Sequence, residues 1–251
     1  MISPPGADGF GPSSSAVPLD PSSTFSTLCD SIGLDPRLRK AVSRLGHVRP
    51  TLVQSRCLPL AVRDGRDLLV RARTGSGKTL AYCLPLLHKI LMGKEGGFGG
   101  EGTGDDNDDD GDDDGGDGPA DGFVRAVILA PTRELCSQVH RVLIELTYYC
   151  DEEVTVAVLG GPGPAGRGGG KKKSSASSDL ARQEAALRDR PDVVVSTPAG
   201  LLVHVRSGAL VLRDSVESLV VDEADLVLSY GKFFFRVGVL CPHNDSLTLR
   251  N

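Results

Sequence analysis

Apolar residues recur along this chain at two spacings, and the switching between them outlines a fold. Leu38, Ala41, Val42 and Leu45 sit three and four apart between Leu34 and Leu45, which predicts a helix with one buried face, and Pro36 suits its first turn. A second helix is predicted after Pro50, carrying Val53, Cys57 and Leu60. Leu68, Leu69 and Val70 then read as a short buried strand that feeds a Gly-rich turn, with a helix from Thr79 to Leu91 behind it. Ala126 to Ala130 reads as the next strand, stopped by Pro131, and a helix from Arg133 to Tyr148 follows. Val154 to Leu159, Val193 to Val195 and Leu219 to Val221 complete five apolar runs with helices between them. Strands buried on both faces read as continuous Val, Ile and Leu runs, so this alternation predicts an α/β domain with a parallel sheet covered on both sides.

Four stretches break the pattern. Residues 93–122 are rich in Gly and Asp and hold too little apolar surface for a core, which predicts a disordered acidic insertion. Residues 162–178 string Gly with Arg167, Lys171, Lys172, Lys173 and four serines, a flexible basic insertion. Residues 1–24 are Pro-, Ser- and Gly-rich, with no basic flank or apolar segment of a secretory signal, and are expected to form a disordered tail. In the divergent segment 232–251, Phe233, Phe234, Phe235, Val237, Val239 and Leu240 are compatible with a further strand or with an exposed apolar segment.

A chain of 251 residues is long enough for one full core with additions. Its formal charge of −5 hides an asymmetry. Segment 101–121 holds eleven acids and no Lys or Arg; outside it, 28 basic residues face 22 acids, a net +6 that suits a polyanionic partner. No apolar run approaches the roughly 20 residues of a membrane-spanning helix, so no membrane partner is expected. Cys29, Cys57, Cys83, Cys136, Cys150 and Cys241 form no Cys-x-x-Cys pair, which favours reduced, structural thiols.

Two acidic and phosphate-binding patterns carry the chemistry. In Ala72-Arg73-Thr74-Gly75-Ser76-Gly77-Lys78-Thr79, the glycines permit a tight turn that aims N–H groups at phosphate oxygens. Lys78 supplies charge to the outer phosphates and Thr79 is a candidate Mg²⁺ ligand. Downstream, the run Leu219-Val220-Val221 delivers Asp222, Glu223, Ala224 and Asp225. Asp222 is placed to hold Mg²⁺ through water, and Glu223 to orient or deprotonate an attacking water. An acidic pair after a strand also occurs as a solvated helix start, where its charge complements the dipole.

These residues, with others, resemble the DEAD-box RNA helicases. Motif I reads Ala72 to Thr79, motif Ia reads Pro131-Thr132-Arg133-Glu134-Leu135, the Gly doublet is Gly160-Gly161, motif Ib begins Thr197-Pro198, and motif II is Asp222 to Asp225. Pro50-Thr51-Leu52-Val53-Gln54 is similar to the family's Q motif, with Phe25 as candidate for its upstream aromatic. The resemblance covers about Phe25 to Gly231 and implies a RecA-like P-loop domain that uses ATP and Mg²⁺. It implies that Gln54 reads the adenine edge, since an amide donates and accepts at once. It further implies that Pro131, Thr132, Arg133, Gly160, Gly161, Thr197 and Pro198 line an RNA backbone without reading sequence.

The flanks Arg71-Ala72-Arg73, Leu52-Val53 and Leu226 to Gly231 are most similar to the nucleolar subgroup acting in large ribosomal subunit assembly. That implies a nuclear or nucleolar location and pre-ribosomal particles as partners. Three departures stand out. Gly200 occupies a position where the family usually has Arg, and His47 follows Gly46 where an aromatic is usual. Nothing after Gly231 matches the family's Ser-Ala-Thr motif or its second RecA-like domain, the source of its arginine fingers. The expectation is the first half of an ATP-dependent RNA helicase, from a truncated or alternatively spliced form. Alternatives are a catalytically incomplete nucleotide- and RNA-binding fragment or a dominant-negative isoform, and a P-loop ATPase unrelated to nucleic acid, against which the Q-motif and motif Ia residues argue.

Overall fold

A computed structural model describes residues 17–95, 124–159, 176–212 and 215–229. Four parallel strands, β1 (Ala126–Leu129), β2 (Val156–Leu159), β3 (Val193–Ser196) and β4 (Ser218–Val221), lie in the order β2-β3-β1-β4. The register aligns their carboxyl ends: Leu159 and Leu129 both pair with Ser196, and Leu129 also pairs with Val221. Whatever follows each strand therefore emerges along one edge, with neighbours about 5 Å apart.

The pleat sorts the apolar runs into two cores. Ala126, Ile128, Val193 and Val195 face a cluster built by α1 (Phe25–Ile32), α2 (Pro36–Arg44), α4 (Lys78–Glu95) and α5 (Arg133–Leu146). Val127, Leu129 and Val194 face the other way, against Leu187 of α6 (Ala176–Arg188), Leu201 of α7 (Pro198–Arg206), Leu210 and Leu212. This is the two-faced α/β arrangement expected from the sequence. Helix α4 buries Leu80, Ala81, Cys83, Leu84, Leu86, Leu87, Ile90 and Leu91 on most of its circumference, and each fully buried leucine contributes about 2 kcal/mol.

Side-chain caps fix where the helices begin. Asp35 accepts from Arg37 N ahead of Pro36, and Thr51 accepts from Gln54 N at the start of α3 (Leu52–Leu58). Thr132 and Thr197 do the same for α5 and α7. Helix α3 runs into a π-helical turn at Pro59–Arg63, and α8 (Ala224–Ser229) follows β4.

Two expectations need correction. Leu68, Leu69 and Val70 form no strand: Leu69 is 98% exposed, and no backbone hydrogen bond joins the three residues to β4. A three-residue apolar run becomes a strand only when a ladder partner and a covering layer meet it, and neither does so here. The tail placed at residues 1–24 also ends sooner. Leu19 bridges Thr51 in antiparallel fashion, Asp20 N donates to Pro50 O at 2.9 Å, and Thr24 caps α1. Apart from Lys94 and Glu95 with Gly93 at the end of α4, and residues 176–178 at the start of α6, the two insertions lie outside the described residues. So does the segment 232–251.

Candidate functional site

The phosphate loop joins the irregular 66–71 segment to α4. Gly75 and Gly77 adopt φ of 77° and 87°, left-handed values that carry a steric penalty for any residue with a Cβ. At Gly77 space is also short, because a Cβ there would stand 2.5 Å from Gln54 Nε2. The loop is thus built against the Q-motif residue. Gln54 is nearly fully buried; its Nε2 donates to Gly77 O at 3.1 Å, and its Oε1 accepts from Thr51 N at 2.9 Å in a reciprocal capping box. One Nε2 proton and one Oε1 lone pair remain beyond these bonds.

Lys78 Nζ donates to Ala72 O at 3.0 Å and to Glu223 Oε1 at 3.1 Å, so it closes the loop from beneath and reaches the acidic pair. Glu223 stands at φ 48°, a strained value for a residue with a side chain, and its N–H donates to Asp222 Oδ1 at 3.0 Å. Asp222 N is held by Leu129 O at 2.8 Å, which extends the β4 ladder by one bond and fixes where the acids start. The other carboxylate oxygen, Oδ2, accepts from Tyr82 Oη at 3.0 Å. Burial, together with the charge of Asp222, keeps the Tyr82 phenol protonated far above its ordinary range.

These residues suit a nucleotide phosphate with Mg²⁺. Ser76 Oγ is buried in the loop without a hydrogen-bond partner, an orphan that a phosphate oxygen would satisfy. Helix α4 contributes its free first-turn N–H groups at the same place. Among the described residues no group of three or more His, Cys, Asp and Glu is arranged to hold a metal ion.

The motif Ia and Ib residues occupy the same sheet edge. Thr132 caps α5 just beyond β1, with its Oγ1 accepting from Leu135 N at 3.3 Å; Thr197 caps α7 just beyond β3, accepting from Gly200 N at 3.1 Å. Thr132 and Arg133 are exposed, while Pro131, Thr197 and Pro198 are half-buried. Each hydroxyl proton remains free to donate. Because β3, β1 and β4 are adjacent, Thr197, Thr132 and Asp222 follow one another along the edge. Gly160 and Gly161 lie outside the described residues.

Gly200 has a local reason to lack a side chain. A Cβ there would stand 2.9 Å from Ser196 Oγ and 3.2 Å from Thr197 Oγ1. Phe25 is 2% exposed, packed in the core beside His47 on the inward face of α1 with Leu28, Cys29 and Ile32. Cys29, Cys57, Cys83, Cys136 and Cys150 are free and buried, and burial raises all five thiols, Cys29, Cys136 and Cys150 to about 11. They are inert at neutral pH.

Sequence reasoning missed Tyr82. The signal was available, since Tyr82 follows Lys78 by four residues and Thr79 by three and so shares their helix face.

Residues 51–236 match the family model described as DEAD/DEAH box helicase. The chain is 39% identical over 202 residues to a probable ATP-dependent RNA helicase, ddx56, of Dictyostelium discoideum, a match that covers 80% of this chain and 24% of that protein. It is 38% identical over 198 residues to the ATP-dependent RNA helicase dbp9 of Schizosaccharomyces pombe, covering 79% of this chain and 27% of the relative. The chain therefore spans about a quarter of the length of these relatives. Among solved structures, a DEAD box protein from Methanococcus jannaschii superposes with a TM-score of 0.58 at 26% identity, covering 86% of this chain and 46% of that one. The yeast splicing factor Prp28 gives 0.56 at 27% identity over 79% of this chain and 38% of its own. The matched span contains the phosphate loop, the acidic pair and the motif Ia and Ib caps, and on these grounds the chain belongs to the DEAD/DEAH box helicase family.

Proposed function

We propose that residues 25–231 form the ATP- and Mg²⁺-binding, RNA-backbone-binding half of an ATP-dependent RNA helicase. The observation that carries this reading is the contact between Lys78 and Glu223, residues 145 apart in sequence, which unites phosphate loop and acidic pair in one cleft. Gln54 stands behind the loop, tied to Gly77, so base recognition at its amide and phosphate binding at the loop share one hydrogen bond.

In this cleft Lys78 and the loop N–H groups neutralise the outer phosphates, and Ser76 donates its unused hydroxyl. Mg²⁺, when bound, spreads the phosphate charge and stabilises the charge that develops on transfer. Thr79 and Asp222 would hold it. Glu223, freed from Lys78, takes the position of a water-orienting base beside Asp222.

RNA lies along the same edge by this reading, with Thr132, Arg133 and Thr197 donating to phosphates and riboses. Recognition of sequence is not expected from such contacts. A role in ribosome assembly, with a nucleolar location, is supported by the resemblance of the motif flanks to the nucleolar subgroup. Among the described residues no helix is long and apolar enough to cross a membrane. Strand separation and turnover are proposed for the longer helicase.

Filter binding to unrelated single-stranded RNAs over a salt series tests the RNA half of the proposal. Similar affinities that fall steeply with salt are expected, and Arg133→Ala should reduce the slope of log K against log salt by about one. Binding that depended on sequence but not on salt would contradict it.

A further inference from the structure

Tyr82 is hydrogen-bonded to a residue proposed to hold Mg²⁺. It lies on α4 one turn beyond Lys78, its ring packed against the core, and its Oη donates to Asp222 Oδ2 at 3.0 Å. Thr79 precedes Tyr82 by three residues on the same helix and so shares its face. Asp222 Oδ1 is meanwhile engaged by Glu223 N at 3.0 Å, so the carboxylate is gripped from both sides and each oxygen keeps a further lone pair. Asp222 is the first residue past β4, where a side chain without such restraints samples several rotamers.

We propose that Tyr82 is a positioning residue for the metal site, whose phenol fixes the Asp222 carboxylate. The proposal rests on the assignment of Asp222 as a Mg²⁺-side residue. Outer groups that hydrogen-bond a metal's ligands set ligand orientation and change metal affinity by 10- to 100-fold when removed. Tyr82→Phe would keep the ring in its packing and lose only the hydroxyl bond to Asp222. The specific expectation is a weaker hold on the metal with an unchanged fold.

The test is the Mg²⁺ concentration needed for half-maximal binding of a fluorescent ATP analogue to the full chain, with binding in EDTA and thermal melting measured alongside. For Tyr82→Phe the Mg²⁺ midpoint should rise by about tenfold, while binding in EDTA and the melting temperature stay at parent values. An unchanged midpoint, or a parallel loss of metal-free binding and melting temperature, would overturn the positioning role. Asp222→Asn separates the two layers of the argument. If that variant shows the parent's Mg²⁺ dependence, the assignment of Asp222 itself fails and Tyr82 has no metal-side carboxylate to position.

Discussion

Lys78 Nζ lies 3.1 Å from Glu223 Oε1, so the principal cation of the phosphate loop is paired with the candidate base of the acidic motif. Both side chains are about a fifth to a quarter exposed, which leaves the pair partly screened by water. A triphosphate offers Lys78 more negative charge than one carboxylate, and on entry it competes for the same ammonium. Under the proposed function, Glu223 is then released where a base would be needed. Removing its charge should favour nucleotide binding while removing the base. Glu223→Gln is expected to bind ATP at least as tightly as the parent in a fluorescence titration; a tenfold weaker affinity would show that Glu223 helps to build the loop.

The bond from Gln54 to Gly77 makes a second prediction. Gln54→Ala removes the reciprocal cap of α3 and leaves Gly77 O without its donor, so a loss of about 1–3 kcal/mol is expected by urea unfolding. Gly77→Ala should disturb the same contact from the other side, through the close approach of its Cβ to Gln54 Nε2 and the positive φ. Combined in one chain, the two substitutions should cost less than the sum of the single losses, because they break one interaction. Strict additivity would mean that Gln54 and Gly77 act independently.

Gly200 supplies a prediction that opposes helix propensity. Alanine in an exposed helix gains about 1 kcal/mol over glycine. In α7 that Cβ would press on the Ser196 hydroxyl, which bonds Leu159 O and Thr197 O, and on the Thr197 cap. Gly200→Ala should therefore leave the melting temperature unchanged or lower it. A clear rise would show that the Ser196 hydroxyl moves aside freely.

Acid should weaken the fold before carboxylates titrate. Burial holds His88, His140 and His204 below the ordinary imidazole value of 6.5. His88 Nδ1 accepts from Asp35 N at 3.3 Å, an interaction that needs the ring nitrogen unprotonated. The unfolded chain then binds protons at a higher pH than the folded one, so the stability from these groups is complete above about pH 6.5 and falls as pH drops through the folded values. At still lower pH, Asp35 contributes in the same direction: burial raises its carboxyl, but the bonds and charge of Arg37 outweigh that and hold it low. Urea unfolding from pH 7.5 to 5 should show decreasing stability, and His88→Gln should flatten part of the decrease. A profile that rose towards acid would contradict the assignment.

Much of the fold was legible because the residues that carry it repeat. Each run in β1, β2, β3 and β4 has apolar residues at successive positions, as strands between two helical layers require, and the residues after them name the chemistry. Leu68 to Val70 carried the same local signal and failed, since ladder pairing is a property of neighbours that three residues do not encode. The aromatic character of Phe25 suits a base stack or a core, and only the structure shows its ring on the inward face of α1. The order of Thr197, Thr132 and Asp222 along the sheet edge was likewise invisible until β1 was seen between β3 and β4. Tyr82 was hidden by its chemistry, because a tyrosine among Leu80, Ala81, Cys83 and Leu84 reads as a core aromatic until Asp222 is brought to its hydroxyl.

The central claim is that the phosphate loop, Gln54 and the acidic pair make one adenine nucleotide site. Isothermal titration of the chain with ATP and with GTP, each with Mg²⁺, tests it most directly, with Lys78→Ala as the control. The account predicts binding of ATP, a markedly weaker response to GTP because Gln54 can both donate to and accept from adenine, and no measurable binding of either by Lys78→Ala. Equal affinity for ATP and GTP, or undiminished binding by Lys78→Ala, would contradict it.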